Sequence, residues 1–166
     1  MTEFELIVDS CEQPIERPRE YQEQKKYYSG KKKRHTKKNQ IIVLPDGKDI
    51  VDIVADKPGP KSDIKLFREQ RKGFDPKQKF QGDKAYNGEE LIKTPKKKTK
   101  KQELTSEQKE KNKELASERV FVEHLIRLIK IFRVAKERFR LNSSKYEQII
   151  MTICGLVRLR IGTFIL

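Results

Sequence analysis

Gln40-Ile41-Ile42-Val43-Leu44-Pro45-Asp46-Gly47-Lys48-Asp49-Ile50-Val51-Asp52-Ile53-Val54-Ala55 is the stretch whose reading decides the fold. Residues 40–44 are a short apolar run of strand length, and Pro45-Asp46-Gly47-Lys48 carries Asp-Gly turn chemistry. Asp49 to Ala55 alternates apolar and acidic residues and returns as the partner strand. Toward the N-terminus, Phe4 to Val8 reads as another strand. Residues 10–26 are polar, contain Pro14 and Pro18, and are expected as a loop. A second extended segment is expected to begin near Tyr27-Tyr28-Ser29-Gly30 and to run through Lys31 to Thr36. The opening is therefore a β-meander followed by a helix.

Toward the C-terminus, Lys57-Pro58-Gly59-Pro60 is expected to break the sheet. Ser62 or Asp63 then caps a helix carrying Ile64, Leu66 and Phe67. Lys79 to Asp83 supplies one more short strand. Lys93 to Lys113 is dominated by Lys, Gln, Glu and Thr and cannot bury a core, so it is expected as a solvated linker or a flexible phosphate-contacting segment. Thr105 and Gln108 form a capping-box pattern that starts a helix reaching, with or without a break, to about Arg140. Asn142-Ser143-Ser144 is a turn, and a last helix runs from about Lys145 to Arg160. The C-terminal half is thus helical.

The chain has 166 residues, one domain by size and large enough for a real core. Its 39 Lys and Arg exceed its 25 Asp and Glu, for a net charge of +14. Such an excess favours nucleic acid or an anionic surface as partner. Cys11 and Cys154 lie far apart without metal-type spacing, which argues against a disulfide framework or a zinc site and fits a reducing cytoplasm. No signal peptide is visible. The tail from Ile149 carries Arg158 and Arg160 in its middle, unlike a spanning helix of about 20 predominantly apolar residues. No membrane and no small-molecule substrate is expected.

Within this cationic chain three acids stand out. Asp9 ends the apolar run of the first strand, and Asp83 follows the strand-like Lys79-Phe80-Gln81. Glu123 lies in the helical segment Arg119 to Lys130. At about 100° per residue, Phe121, Leu125, Leu128 and Phe132 fall within roughly 60° and are expected to form the buried stripe. Arg119, Glu123, Arg127 and Lys130 gather opposite, within about 80°. Glu123 with Arg119 and Arg127 at i±4 is also an ordinary pattern of surface ion pairs. Two aspartates closing neighbouring strands and a glutamate on a packed helix can converge, and their repulsion then calls for divalent cations. Hard oxygen ligands suit Mg²⁺ or Mn²⁺, and two such ions can serve phosphodiester chemistry.

Sequence spacing alone does not bring these acids together, but a resemblance does. Val8-Asp9-Ser10 with Glu12-Gln13-Pro14-Ile15, then Tyr28-Ser29-Gly30-Lys31-Lys32-Lys33-Arg34-His35-Thr36, occur in order along the chain. Pro58-Gly59-Pro60-Lys61-Ser62-Asp63-Ile64-Lys65-Leu66-Phe67, Gly82-Asp83-Lys84-Ala85-Tyr86-Asn87-Gly88 and Arg119-x3-Glu123-x6-Lys130 follow. Taken together they resemble the catalytic domain of DDE transposases of bacterial insertion sequences, a DDE-superfamily endonuclease type to which Harbinger-like transposases are also similar. The resemblance covers nearly the whole chain, as a single catalytic domain over 1–166. It implies an α/β, RNase H-like fold, a mixed sheet flanked by helices, with the first acid on the first strand. It implies Asp9, Asp83 and Glu123 as catalytic metal ligands for Mg²⁺ or Mn²⁺, two ions in all, with Arg119 and Lys130 contacting DNA. DNA as partner, a homo-oligomer when active and a nucleoid-associated cytoplasmic place follow from the same likeness. The runs Lys31-Lys32-Lys33-Arg34 and the lysines at 96–101 are either backbone-phosphate contacts or solvated charge.

The departures are specific. Ala116 stands where the tyrosine of the family's Y-R-E-K pattern would fall, Ala85 where glycine is common, and Ser62 where histidine is common. Asp63 is either a helix cap or an auxiliary acid. These transposases usually carry an N-terminal helical recognition domain, and here Met1 lies just before the first strand. The expectation is a catalytic fragment, a second reading frame or a decayed copy. A remnant that binds DNA without cutting it and a basic RNA-binding protein are the alternatives.

Overall fold

The computed structural model describes residues 4–96, 98 and 103–163. β1 (Leu6–Pro14) lies at the centre of a mixed sheet. On one side it pairs antiparallel with β3 (Arg34–Val43), which pairs antiparallel with β4 (Ile50–Pro58). On the other it pairs in parallel with β5 (Phe80–Gln81), which pairs in parallel with β6 (Ile92–Lys93). β2 (Tyr28–Ser29) pairs with the start of β3 at His35 and Arg34. The quoted hairpin is β3 and β4, joined by the turn in which Gly47 takes a φ of +69°.

The helices are α1 (Tyr21–Tyr27), α2 (Asp63–Gln70), α3 (Ser106–Ile131), α4 (Arg133–Lys136) and α5 (Tyr146–Thr163). Strand alternation sorts the core into two layers. Ile7, Ile41 and Val43 face Val122, Leu125 and Ile129 of α3 and Ile150, Ile153 and Val157 of α5. Leu6, Val8 and Ile42 face the other way, toward Phe67 of α2, with Phe80, Tyr86 and Ile92. This α/β arrangement, a mixed sheet flanked by helices with Asp9 on the first strand and a helical C-terminal half, is the RNase H-like class the sequence led us to expect.

Several boundaries differ from that expectation. Residues 10–14, read as loop, continue β1, because the apolar run is extended by ladder pairs from Ser10↔Gln40 to Pro14↔Thr36. A short helix, α1, stands inside the same expected loop. Residues 30–33 turn rather than extend, with Lys33 at a φ of +51°. β4 runs through Lys57 and Pro58 where a break was expected. Pro58 is tolerated there because β4 pairs only with β3, and the irregularity is taken up at Asp56, with a φ of +62°.

α3 opens on the capping box, Thr105 Oγ1 accepting from the Gln108 N–H and Gln108 Oε1 from the Thr105 N–H, each at 3.3 Å. The last part of the expected 93–113 linker is therefore its first two turns. Lys97 and Thr99 to Gln102, which hold most of the lysines at 96–101, lie outside the described residues. The helix does break, at Phe132, which turns extended at ψ 112°; α4 then carries it on only to Lys136, short of Arg140. The buried stripe of α3 is Val122, Leu125, Ile126 and Ile129, rotated by about 80° from the expected one. Phe121 is 44% exposed instead, lying against the hairpin turn, where a Cβ on Gly47 would sit 3.0 Å from its own Cβ.

Candidate active site

That rotation decides what the cationic side of α3 meets. Shifting the buried stripe swings Arg119 and Lys130 toward the sheet, so both are half-buried, while Arg127 stays exposed. β5 is tied to the same helix by Gln81 Nε2, which donates to Glu118 Oε2 at 2.7 Å. The strand that leads to Asp83 and the helix that carries Glu123 are thereby held together beside β1.

Asp9 and Asp83 are each oriented by one local bond. Asp9 Oδ1 accepts the Ser10 N–H at 2.8 Å, and Asp83 Oδ1 accepts the Ala85 N–H at 2.7 Å as it caps the short 3₁₀ turn Lys84–Tyr86. Gly82 is required just before it, since a Cβ there would meet the Tyr86 ring at 2.8 Å. Neither aspartate is ion-paired among the described residues. Glu123, 51% exposed at its side chain, faces Arg119 Nη2 at 3.7 Å.

Electrostatics connect the acids. Burial pushes the Asp9 carboxyl up to about 6; the Ser10 N–H and the Arg119 guanidinium pull it down, and the Asp83 and Glu123 carboxylates push it further up. Burial also raises the Tyr86 hydroxyl, with the Asp63, Asp9 and Asp83 carboxylates adding to the rise. Lys130 lies on the Asp9 side of β1, where its charge opposes the burial that raises the Cys11 thiol. Arg119 Nε is buried without a hydrogen-bond partner.

Asp9 thus feels the charge of Asp83, of Glu123 and of Arg119. The three acids do not form a closed cage: among the described residues no three His, Cys, Asp or Glu side chains stand close enough to hold a metal ion. The donor chemistry still fits one, because the acids offer hard carboxylate oxygens, and Asp9 and Asp83 have no ion pair among the described residues to neutralise them.

A family model described as DDE superfamily endonuclease matches residues 8–158. The chain belongs to the DDE superfamily of endonucleases. Enzymes of this superfamily are generally dependent on divalent metal. A relative in Microchaete diplosiphon, a probable transposase for insertion sequence element IS702, is 37% identical over 139 residues. Those residues are 81% of this chain and 49% of the relative, so the DDE endonuclease chain spans about half of that protein's length. No solved structure matches. Among the described residues no helix is long and apolar enough to cross a membrane.

Asp63 is not the cap of α2. That position belongs to Ser62, whose side chain makes no capping bond, and Asp63 is the first helical residue. Its carboxylate instead accepts from Ser10 Oγ at 2.6 Å and pairs with Lys38 Nζ at 2.8 Å. Ser10 and Lys38 were not singled out by sequence reasoning. The one available signal was strand parity, which puts Lys38 on the same face as Gln40 and Ile42.

Proposed function

We propose that this chain is the catalytic portion of an insertion-sequence transposase, performing metal-dependent DNA strand cleavage and strand transfer at the element's ends. The observation that carries the reading is Asp9, a half-buried carboxyl with no ion pair among the described residues, raised to about 6 and sensitive to both Asp83 and Glu123. Burying an acid this way costs stability, and a site that binds cations recovers it. Asp9, Asp83 and Glu123 would hold Mg²⁺ or Mn²⁺, two ions in the full site. When bound, the cations supply activation of the attacking oxygen and stabilisation of the leaving oxygen.

The chain's own residues do the positioning. Arg119 and Lys130 orient the DNA phosphate from α3, and the exposed Lys31-Lys32-Lys33-Arg34 turn contacts the backbone farther off. Hydrolysis frees a 3′-hydroxyl, which attacks target DNA in a second in-line transesterification without a covalent protein intermediate. Pairing two ends would place the active protein in a homo-oligomer at the nucleoid.

A second reading, DNA binding without cleavage, has its own support in Glu123, which leans on Arg119 instead of closing a cage with the aspartates. Asp83→Asn separates the two. We expect Mg²⁺-dependent nicking of an element end to vanish while salt-sensitive DNA binding stays near wild type. Nicking that survives the change would remove Asp83 from the site. A wild-type chain that binds DNA but never nicks, at any Mg²⁺ or Mn²⁺ concentration, would establish the second reading.

A further inference from the structure

At Asp9 the sheet is one-sided. β5 pairs with β1 only at Leu6 and Ile7, so by Ser10 the only strand beside β1 is β3. Asp9 lies inside β1, but on that open side no described strand packs beside its backbone, so what fixes its carboxylate has to come from elsewhere. Ser10 supplies the connection from two of its atoms: its N–H is donated to Asp9 Oδ1 at 2.8 Å, and its Oγ to Asp63 Oδ1 at 2.6 Å. Asp63 is fixed in turn by Lys38 at 2.8 Å, and Lys38 Nζ also donates to the Lys61 carbonyl just before α2. The Lys38 side chain is 7% exposed, so solvent does not compete for it. Period-2 alternation puts Ser10 and Lys38 on the α2 face and Asp9 on the α3 face. Asp63 therefore lies across the sheet from Asp9, and its hydrogen-bonded route to that residue runs through Ser10.

We propose that Asp63, braced by Lys38, is a positioning residue that acts through Ser10 to hold the Asp9 carboxylate in its ligating orientation. The inference rests on the assignment of Asp9 to the catalytic acids. It accounts for a buried lysine that has no place in phosphate binding, and for an acid that neither caps its helix nor joins the other three.

The test uses Ser10→Ala, Asp63→Asn and the rescue variant Ser10→Thr, with Asp9→Asn as reference. Partners that hold a ligating carboxylate are typically worth 10–100-fold in metal affinity or activity. We expect Ser10→Ala and Asp63→Asn each to weaken Mn²⁺ binding, read by electron paramagnetic resonance, by about tenfold or more. They should lower kcat for nicking by a similar factor with KM for DNA unchanged, and Ser10→Thr should restore both. In the metal-free protein, amide hydrogen exchange at residue 10 should quicken while that of Ile7 stays slow, a readout independent of activity. If Asp63→Asn does not fold, Ser10→Ala, which leaves the Lys38–Asp63 pair in place, decides alone. Asp9→Asn losing Mn²⁺ while Ser10→Ala keeps wild-type affinity and exchange would overturn the clamp but not the site. Asp9→Asn keeping Mn²⁺ and nicking would overturn the acid assignment, and the clamp with it.

Discussion

On the α3 side of β1, Asp9 has, among the described residues, one backbone hydrogen bond, no ion pair, and two other carboxylates within electrostatic reach. On the α2 side, starting one residue later, polar groups are joined to one another. Ser10 reaches Asp63 and Lys38 and also the Tyr86 hydroxyl, which reaches Gln40, then Gln70, then Asp52. Both sides bury polar atoms against the same strands, yet only the second satisfies them. An unpaired buried charge costs more than any single hydrogen bond returns. The two sides therefore separate groups that hold the chain together from groups kept ready for something outside it.

The largest effect should come from breaking the satisfied side. Gln40 is fully buried, and its side-chain amide bonds both Gln70 at 2.8 Å and the Tyr86 hydroxyl at 3.1 Å. Gln40→Ala takes one buried hydrogen bond from each partner and opens a cavity, so we expect a loss of roughly 3 kcal/mol in urea unfolding followed by circular dichroism. A loss below about 1 kcal/mol would mean that these bonds are exchangeable with water and that the contrast between the sides is superficial.

How much of this was legible in the sequence depends on the range of the interaction. The β3–β4 hairpin was legible because alternation and the Asp46-Gly47 turn are local. So was the Thr105–Gln108 capping box. Asp83 just after a short strand and Glu123 on a helix could be placed from pattern alone; Asp9 was put on the right strand but at its end, whereas β1 continues to Pro14. The stripe on α3 was misphased because Phe121, Leu125, Leu128, Phe132 and Val122, Leu125, Ile126, Ile129 are both apolar lines. The choice between them was made by tertiary contact, with Phe121 lying on the Gly47 turn and Val122 entering the core. Asp63 was noticed, as helix cap or auxiliary acid, but its partners were illegible for the same reason: Ser10 is 53 residues away, and Lys38 looks like one more member of a basic run. Only the β1–β3 register, which makes Lys38 a buried residue, reveals them.

A smaller effect of opposite sign should come from the unsatisfied side. The folded Asp9 carboxyl, at about 6, lies above its ordinary 3.8, so folding favours its protonated form. The stability this lends is fully present below about pH 4 and is lost as pH rises through about 6. The full shift corresponds to about 3 kcal/mol, which partial exposure reduces, so in metal-free protein Asp9→Asn should be the more stable at pH 7 by roughly 2 kcal/mol, with the gap closing near pH 4. Groups common to both proteins cancel in that difference. Thermal melts in EDTA at the two pH values measure it, and added Mg²⁺ should narrow the gap at pH 7 by stabilising the wild type alone. A wild type more stable than Asp9→Asn at pH 7 without metal would show that Asp9 is satisfied by the protein itself.

The smallest stability effect is expected at Glu123, and its smallness is informative. Its contact with Arg119 is 3.7 Å long, one helical turn apart and about half solvated, a pair worth less than ~0.5 kcal/mol. Arg119 does not depend on it, because that guanidinium also interacts with Asp9 and keeps a buried, unbonded Nε. Glu123→Gln should therefore melt within a degree or two of wild type, as expected for a surface substitution. If the ion pair were the reason for a glutamate here, nicking would survive the change with the fold. If Glu123 instead completes the acids of the unsatisfied side, Mg²⁺-dependent nicking should fall to background in a protein of unchanged stability. A measured loss of stability with nicking retained would move Glu123 to the structural side of the comparison.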